Sequence, residues 1–148
     1  MVLPSDLIEL LVAFAAAKVD YLLVGGQALA LHGLPRFTKD ADLWLRDDPD
    51  NITRAEEALE AFGAPLATIQ ALRPAAPLDV VWMGQPPCRI DLMKGVPGGD
   101  FDRAWATRVE LEVEGTSLLL VGREELARLK RASGRPQDLV DAEKLERG

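Results

Sequence analysis

The stretch YLLVGGQALALHGLPRFTKDADLWL, residues 21 to 45, decides how this chain folds. Tyr21-Leu22-Leu23-Val24 is a short apolar run and reads as a fully buried strand that ends at the glycine pair Gly25-Gly26. Residues Gln27 to His32 are good helix formers. They stop at Gly33, and Pro35 prevents continuation, so a helix of under three turns is expected. From Asp40 to Leu45 the pattern alternates: Asp40, Asp42 and Trp44 fall on one face, Ala41, Leu43 and Leu45 on the other. The unit is therefore a buried strand, a glycine pair, a short helix and a second strand with one apolar face.

Working outward, Ser5 or Asp6 can cap a first helix reaching about Lys18, with Leu7, Leu10, Leu11 and Phe14 on its buried face. Asp48-Pro49 reads as an N-cap followed by proline at the first helical position, opening a helix that runs through Leu59 and Phe62 to Gly63. The proline-rich passage from Pro65 to Pro77 receives no assignment. Leu78 to Met83 and Cys88 to Met93 read as antiparallel strands around the turn Gly84-Gln85-Pro86-Pro87. Gly95 to Gly99 reads as a loop and Phe101 to Trp105 as one helical turn. Arg108 to Val113 and Thr116 to Val121 form a second hairpin broken at Gly115. Two tail helices follow, one from Arg123 to about Ser133 and stopped by Gly134, the other opening at Pro136 and reaching about Glu146. Hairpins among helices give an α+β class, a mixed β-sheet with helices packed mainly on one face. We expect a single domain over residues 1–148, with a core at about 20–121 and a C-terminal helical pair at about 123–146.

Composition bounds the function. With 48% apolar residues the 148-residue chain can fill a core, which excludes disordered and low-complexity classes. A formal charge of −7, from 24 acidic against 17 basic residues, repels the nucleic-acid backbone and argues against a non-specific coat. It leaves open a local basic site for a small anion. The single cysteine, Cys88, can form no internal disulfide, which fits a reducing, cytoplasmic setting. No apolar run reaches the roughly 18 residues needed to cross a bilayer, and no basic segment precedes the first helix, so neither a membrane span nor a signal peptide is expected.

Three carboxylates carry the chemistry. Asp40 and Asp42, two apart on a strand, point the same way, and Asp91 in Arg89-Ile90-Asp91-Leu92-Met93 repeats the alternation. If the strands are neighbours, all three share one open face with Arg89 and Met93. Such a cluster is costly without a cation, and oxygen-only ligands suit magnesium or manganese. The plainer alternative is a set of solvated acids on a strand face, and Asp79, on the same alternation, reads equally well as an edge charge. Gly25-Gly26 is either an ordinary turn or, with no Cβ in the way and free N–H groups at a helix start, a place for an anion. Arg36 and Lys39 can pair with the acids or contact phosphate. Lys130 has no acidic residue three or four positions away on its helix, whereas Arg128 can pair with Glu124. His32, the only histidine, reads as packed or solvated, and no Ser-His-Asp or Cys-His set can be assembled.

Taken together, Val24-Gly25-Gly26-Gln27-Ala28-Leu29-Ala30-Leu31-His32-Gly33, then Arg36, Thr38, Asp40-Ala41-Asp42-Leu43 and Arg89-Ile90-Asp91-Leu92, resemble the nucleotidyltransferase superfamily with the DNA polymerase β-like fold. Small bacterial proteins of the abortive-infection toxin type are the nearest likeness. Glu125-Leu126, Lys130, Gly134-Arg135-Pro136-Gln137-Asp138 and Asp141 look like that group's tail motif, and the likeness spans roughly Val24 to Leu145. The resemblance implies magnesium- or manganese-dependent transfer of a nucleoside monophosphate from a nucleoside triphosphate such as ATP to an acceptor hydroxyl. It implies Asp40, Asp42 and Asp91 as catalytic, metal-holding residues, and Gly25, Gly26, Arg36, Thr38, Lys130, Arg135 and Asp138 on the nucleotide side. The turn departs from the broader family in having Gly-Gly where many members have Gly-Ser. The acceptor is left open among RNA, protein and small molecule, and the subgroup likeness points to the toxin half of a toxin–antitoxin pair with an antitoxin partner or self-association. The rival reading is a catalytically silent member that binds a nucleotide or a partner.

Overall fold

In the computed structural model, which describes residues 3–34, 36, 38, 40–85 and 88–148, the quoted stretch forms the centre of the fold. Helix α1 (Ser5–Ala17) precedes β1 (Tyr21–Val24), α2 (Gly25–Leu31) and β2 (Ala41–Leu45). Helices α3 (Pro49–Phe62) and α4 (Leu66–Leu72) lead to β3 (Val81–Gln85) and β4 (Cys88–Met93). Helix α5 (Phe101–Ala106), the hairpin β5 (Val109–Val113) and β6 (Thr116–Leu120), and helices α6 (Arg123–Ser133) and α7 (Pro136–Arg147) complete the order. The six strands lie in one mixed sheet, β3-β4-β2-β1-β6-β5, in which β1 runs parallel to β6 and β2 parallel to β4.

One face of the sheet carries Tyr21, Leu23, Leu43, Leu45, Ile90, Leu92, Leu118 and Leu120, all buried. Against it α1 sets Leu7, Leu10, Leu11 and Phe14, the residues its spacing predicts, and α3 packs on α1. Burying side chains of this size contributes about 1.5–3 kcal/mol each before chain entropy is counted. Asp48 caps α3 by accepting a hydrogen bond from the Asn51 N–H at 3.1 Å, and Gly63 ends the helix in the left-handed region, φ 92°. Glu114 and Gly115 both have positive φ, the geometry of a tight two-residue hairpin turn between β5 and β6.

The structure differs from the sequence reading in several places. Pro4, not Ser5 or Asp6, is the N-cap of α1, with no side-chain cap, because the fixed φ of proline already sets the entry to the helix. The glycine pair is not a turn ahead of α2 but its first two helical residues. Asp40 lies just before β2, and Asp79 lies outside β3, which begins only at Val81. Gly84 and Gln85 pair with Arg89 and Cys88 as part of the ladder, so the four-residue turn shortens; Pro86 and Pro87 lie outside the described residues. Within the unassigned proline-rich passage, Leu66–Leu72 is helical after Pro65, a proline at the helix entry rather than a breaker. The face bearing Asp42 is not open along its length. Trp44 on that face is 2% exposed and packs edge-on to Phe101 of α5 at 5.1 Å between ring centroids.

Candidate functional site

The pairing of four strands places one residue of each in a single row. Val24 pairs with Asp42, Asp42 with Asp91, and Asp91 with Trp82, so the row Val24-Asp42-Asp91-Trp82 crosses β1, β2, β4 and β3 on one face. At one end, Val24 leads directly into Gly25 at the start of α2. At the other, Trp82 stands on the edge strand.

Gly25 has φ +74°, and an ideal Cβ there would fall 2.9 Å from Cγ of Asp42 and closer still to its Oδ2. A Cβ on Gly26 would fall 2.7 Å from Cγ2 of Thr38. Thus the space left by the glycine pair is filled by Asp42 and Thr38, which brings the helix start against the carboxylate. Thr38 Oγ1 in turn accepts from the Asp40 N–H at 3.1 Å.

Asp42 is strongly perturbed. Burial, then the charge and hydrogen bonding of Asp91, then the charge of Asp40 push its carboxyl up to about 6, and Lys130 opposes the shift. Asp91 Oδ1 accepts from Arg89 Nε at 2.6 Å, and Asp40 Oδ1 accepts from the Arg89 backbone N–H at 3.2 Å. Asp42 and Asp91 are therefore an adjoining pair, and Arg89 links Asp91 to Asp40. Among the described residues no group of three His, Cys, Asp or Glu side chains is gathered tightly enough to hold a metal ion as it stands. The donors nevertheless fit a hard cation: they are oxygen only, and the Asp42–Asp91 pair carries a like-charge penalty that a divalent ion would reverse.

A cavity of about 270 Å³ joins this row to the C-terminal helices. Gly25, Asp42 and Asp91 line one side, and Lys130, Ser133, Arg135 and Asp138 line the other. Six residues named from sequence thus converge on one hollow, while Asp40, Gly26, Arg36 and Thr38 stand beside it. A larger cavity of about 710 Å³, between the α3–α4 turn and β3, is lined mainly by apolar groups and by one charged side chain, Asp6, among the described residues.

The basic residues are already engaged. Lys130 Nζ lies 3.2 Å from Asp138 Oδ1 and 3.9 Å from Asp141 Oδ2, so its partners come from α7, one helix beyond those that helical spacing can reveal. Arg36 forms an ion pair with Asp141, itself 1% exposed, rather than with Asp40 or Asp42. Asp138 is buried, which alone would raise its pKa, but hydrogen bonds from Ser133, Arg135 and Lys130 outweigh this and lower it to about 2. Arg128 pairs with Glu125 at 3.3 Å rather than with Glu124. Lys39 lies outside the described residues. His32 is packed, its Nε2 2.8 Å from the Val121 carbonyl oxygen.

Sequence reasoning missed Asp141 as the anchor of Arg36, and Trp82 as a member of the row. Gln27 is buried with neither amide atom in a hydrogen bond among the described residues. Their signals were an acid four residues before a helical Leu, an aromatic residue two positions from Val80, and a glutamine directly after the glycine pair.

No protein-family model matches the sequence, and no curated protein matches it. Solved structures do match. A provisionally assigned nucleotidyltransferase of Thermotoga maritima superposes with a TM-score of 0.65 at 15% identity, over 95% of this chain and 88% of that one. The lincosamide antibiotic adenylyltransferase LnuA, in its lincomycin-bound form, gives a TM-score of 0.58 at 18% identity, over 97% of each chain. ANT(2")-Ia in complex with adenylyl-2"-tobramycin gives 0.56 at 16% identity, over 95% of this chain and 90% of that one.

Proposed function

The chain has the nucleotidyltransferase fold, and from that premise we propose that it transfers a nucleoside monophosphate from a nucleoside triphosphate to an acceptor hydroxyl. The observation that carries this reading is one cavity lined on one side by the paired Asp42 and Asp91 with Gly25 beside them, and on the other by Lys130 and Arg135. Asp42 and Asp91, with Asp40, would hold magnesium or manganese, which supplies positive charge to the reacting phosphate and to the leaving pyrophosphate. Gly25 and Gly26 admit the phosphate chain to the start of α2, and Lys130, Arg135 and Arg36 neutralise its negative charge. For this the cations must exchange Asp138 and Asp141 for phosphate oxygens. Asp91, at the acceptor side of the row, takes the proton of the attacking hydroxyl; the new bond forms to the α-phosphorus as the bond to the β-phosphate breaks.

Length does not stand against an enzyme, since this chain covers 97% of the lincosamide adenylyltransferase chain. A toxin half of a toxin–antitoxin pair is a finer form of the same reading; induction of the chain in cells would arrest growth, and Asp42→Asn would abolish the arrest. The test of transfer itself is incubation with each α-labelled nucleoside triphosphate, magnesium, and transfer RNA, lincomycin or tobramycin as acceptors. Label moves to an acceptor with wild type and not with Asp91→Asn if the reading is right; no transfer to any acceptor removes it. One observation favours a silent nucleotide-binding module: Arg89, Asp138 and Asp141 already occupy the site's charged groups. A module of that kind would bind nucleotide in calorimetry and transfer nothing.

A further inference from the structure

At the edge-strand end of the row, Trp82 is 56% exposed, an unusual place for so large an apolar ring. It does not stand alone. The Arg89 guanidinium lies 5.1 Å from its ring centroid, and the same guanidinium donates to Asp91 at 2.6 Å. Val80, two residues before it, is also exposed and lines the cavity that holds Asp42 and Asp91. Indole, guanidinium and carboxylate therefore form one continuous ledge that ends at the cavity.

On the transferase reading Gly25 and Lys130 take the triphosphate at the opposite end, so an acceptor approaches Asp91 from the Trp82 side. We propose that Trp82 and Arg89 form the acceptor subsite, which takes a small hydroxylated ring of sugar type, neutral or cationic. An apolar ring face of C–H groups stacks on the indole, while its hydroxyls meet Arg89 and Asp91. Charge selects against a phosphate-bearing acceptor: Asp40 and Asp91 both accept hydrogen bonds from Arg89, so two carboxylates stand against one guanidinium at this ledge. The inference rests on the transferase reading for which end of the row is which.

The test separates the two. Without nucleotide, wild type, Trp82→Phe and Trp82→Ala are titrated with lincomycin and with tobramycin, and ligand binding is followed by saturation-transfer NMR. At least one ring binds wild type, Trp82→Phe retains affinity within about threefold, and Trp82→Ala loses about fivefold or more, the range expected for one stacked ring. Binding of neither ring, equal binding by Trp82→Ala, or label transferred to RNA or protein instead overturns the inference. A parallel calorimetric titration with magnesium and ATP reports on the nucleotide end; its loss in Asp42→Asn but not in Trp82→Ala shows that the two ends act separately. Because Trp82 is exposed on an edge strand, the alanine variant keeps its fold, and the far-UV spectrum confirms it.

Discussion

Gly25 and Asp42 interlock: the missing side chain of the first is the space occupied by the carboxylate of the second. Each depends on the other. The glycine at φ +74° lets α2 begin directly off β1, and burial beside that helix start is the first cause that raises the Asp42 carboxyl.

Gly25→Ala should therefore injure both fold and site. The left-handed backbone conformation costs about 1–2 kcal/mol for a residue with a Cβ, and the clash displaces Asp42 in addition. The melting temperature should fall by roughly 2–8 °C for a chain of this size. Nucleotide affinity, measured by calorimetry with magnesium and ATP, should drop further than the stability loss explains, because the displaced carboxylate belongs to the site.

Asp42→Asn should separate stability from activity. The substitution removes a partly buried negative charge beside Asp91 while keeping the shape of the side chain. In metal-free buffer at neutral pH the variant should melt at or above the wild-type temperature, while transfer activity falls. Added magnesium should raise the wild-type melting temperature and leave the variant unchanged.

The α6–α7 hairpin should weaken in acid through Asp138. Its carboxyl titrates near 2 in the folded chain against an ordinary 3.8, so the ionised form is favoured by folding. The stabilisation is complete above about pH 4 and fades as pH falls from 4 toward 2, amounting to about 2 kcal/mol. Denaturant unfolding at pH 6 should show Asp138→Asn less stable than wild type by about that amount, and at pH 2.5 the gap should have narrowed to less than half.

Much of this architecture was legible from local pattern. The run from Tyr21 to Leu45 named its strands and helix because burial period and glycine stops act over a few residues, and Leu7, Leu10, Leu11 and Phe14 named the buried face of α1. The alternation Asp40-Asp42 and Arg89-Asp91 placed the acids on one face, but only the pairing of β2 with β4 brings Asp42 opposite Asp91. What stayed hidden depends on distant segments. Lys130 looked unpaired because its partners Asp138 and Asp141 belong to the next helix, and Arg36 finds Asp141 across 105 residues of sequence. Trp44 looked exposed by alternation and is covered by Phe101, which the strand pattern could not reveal. The α4 helix was obscured by prolines that lie at its ends rather than inside it.

The most direct test is pyrophosphate release from ATP with magnesium, in the presence of lincomycin or tobramycin, compared among wild type, Asp42→Asn and Asp91→Asn. The account predicts release by wild type that depends on both metal and acceptor, and a fall on the order of 10²-fold or more in either variant, as expected when a group that stabilises reacting charge is lost. Equal release by all three proteins, or none by wild type with nucleotide bound, would contradict it.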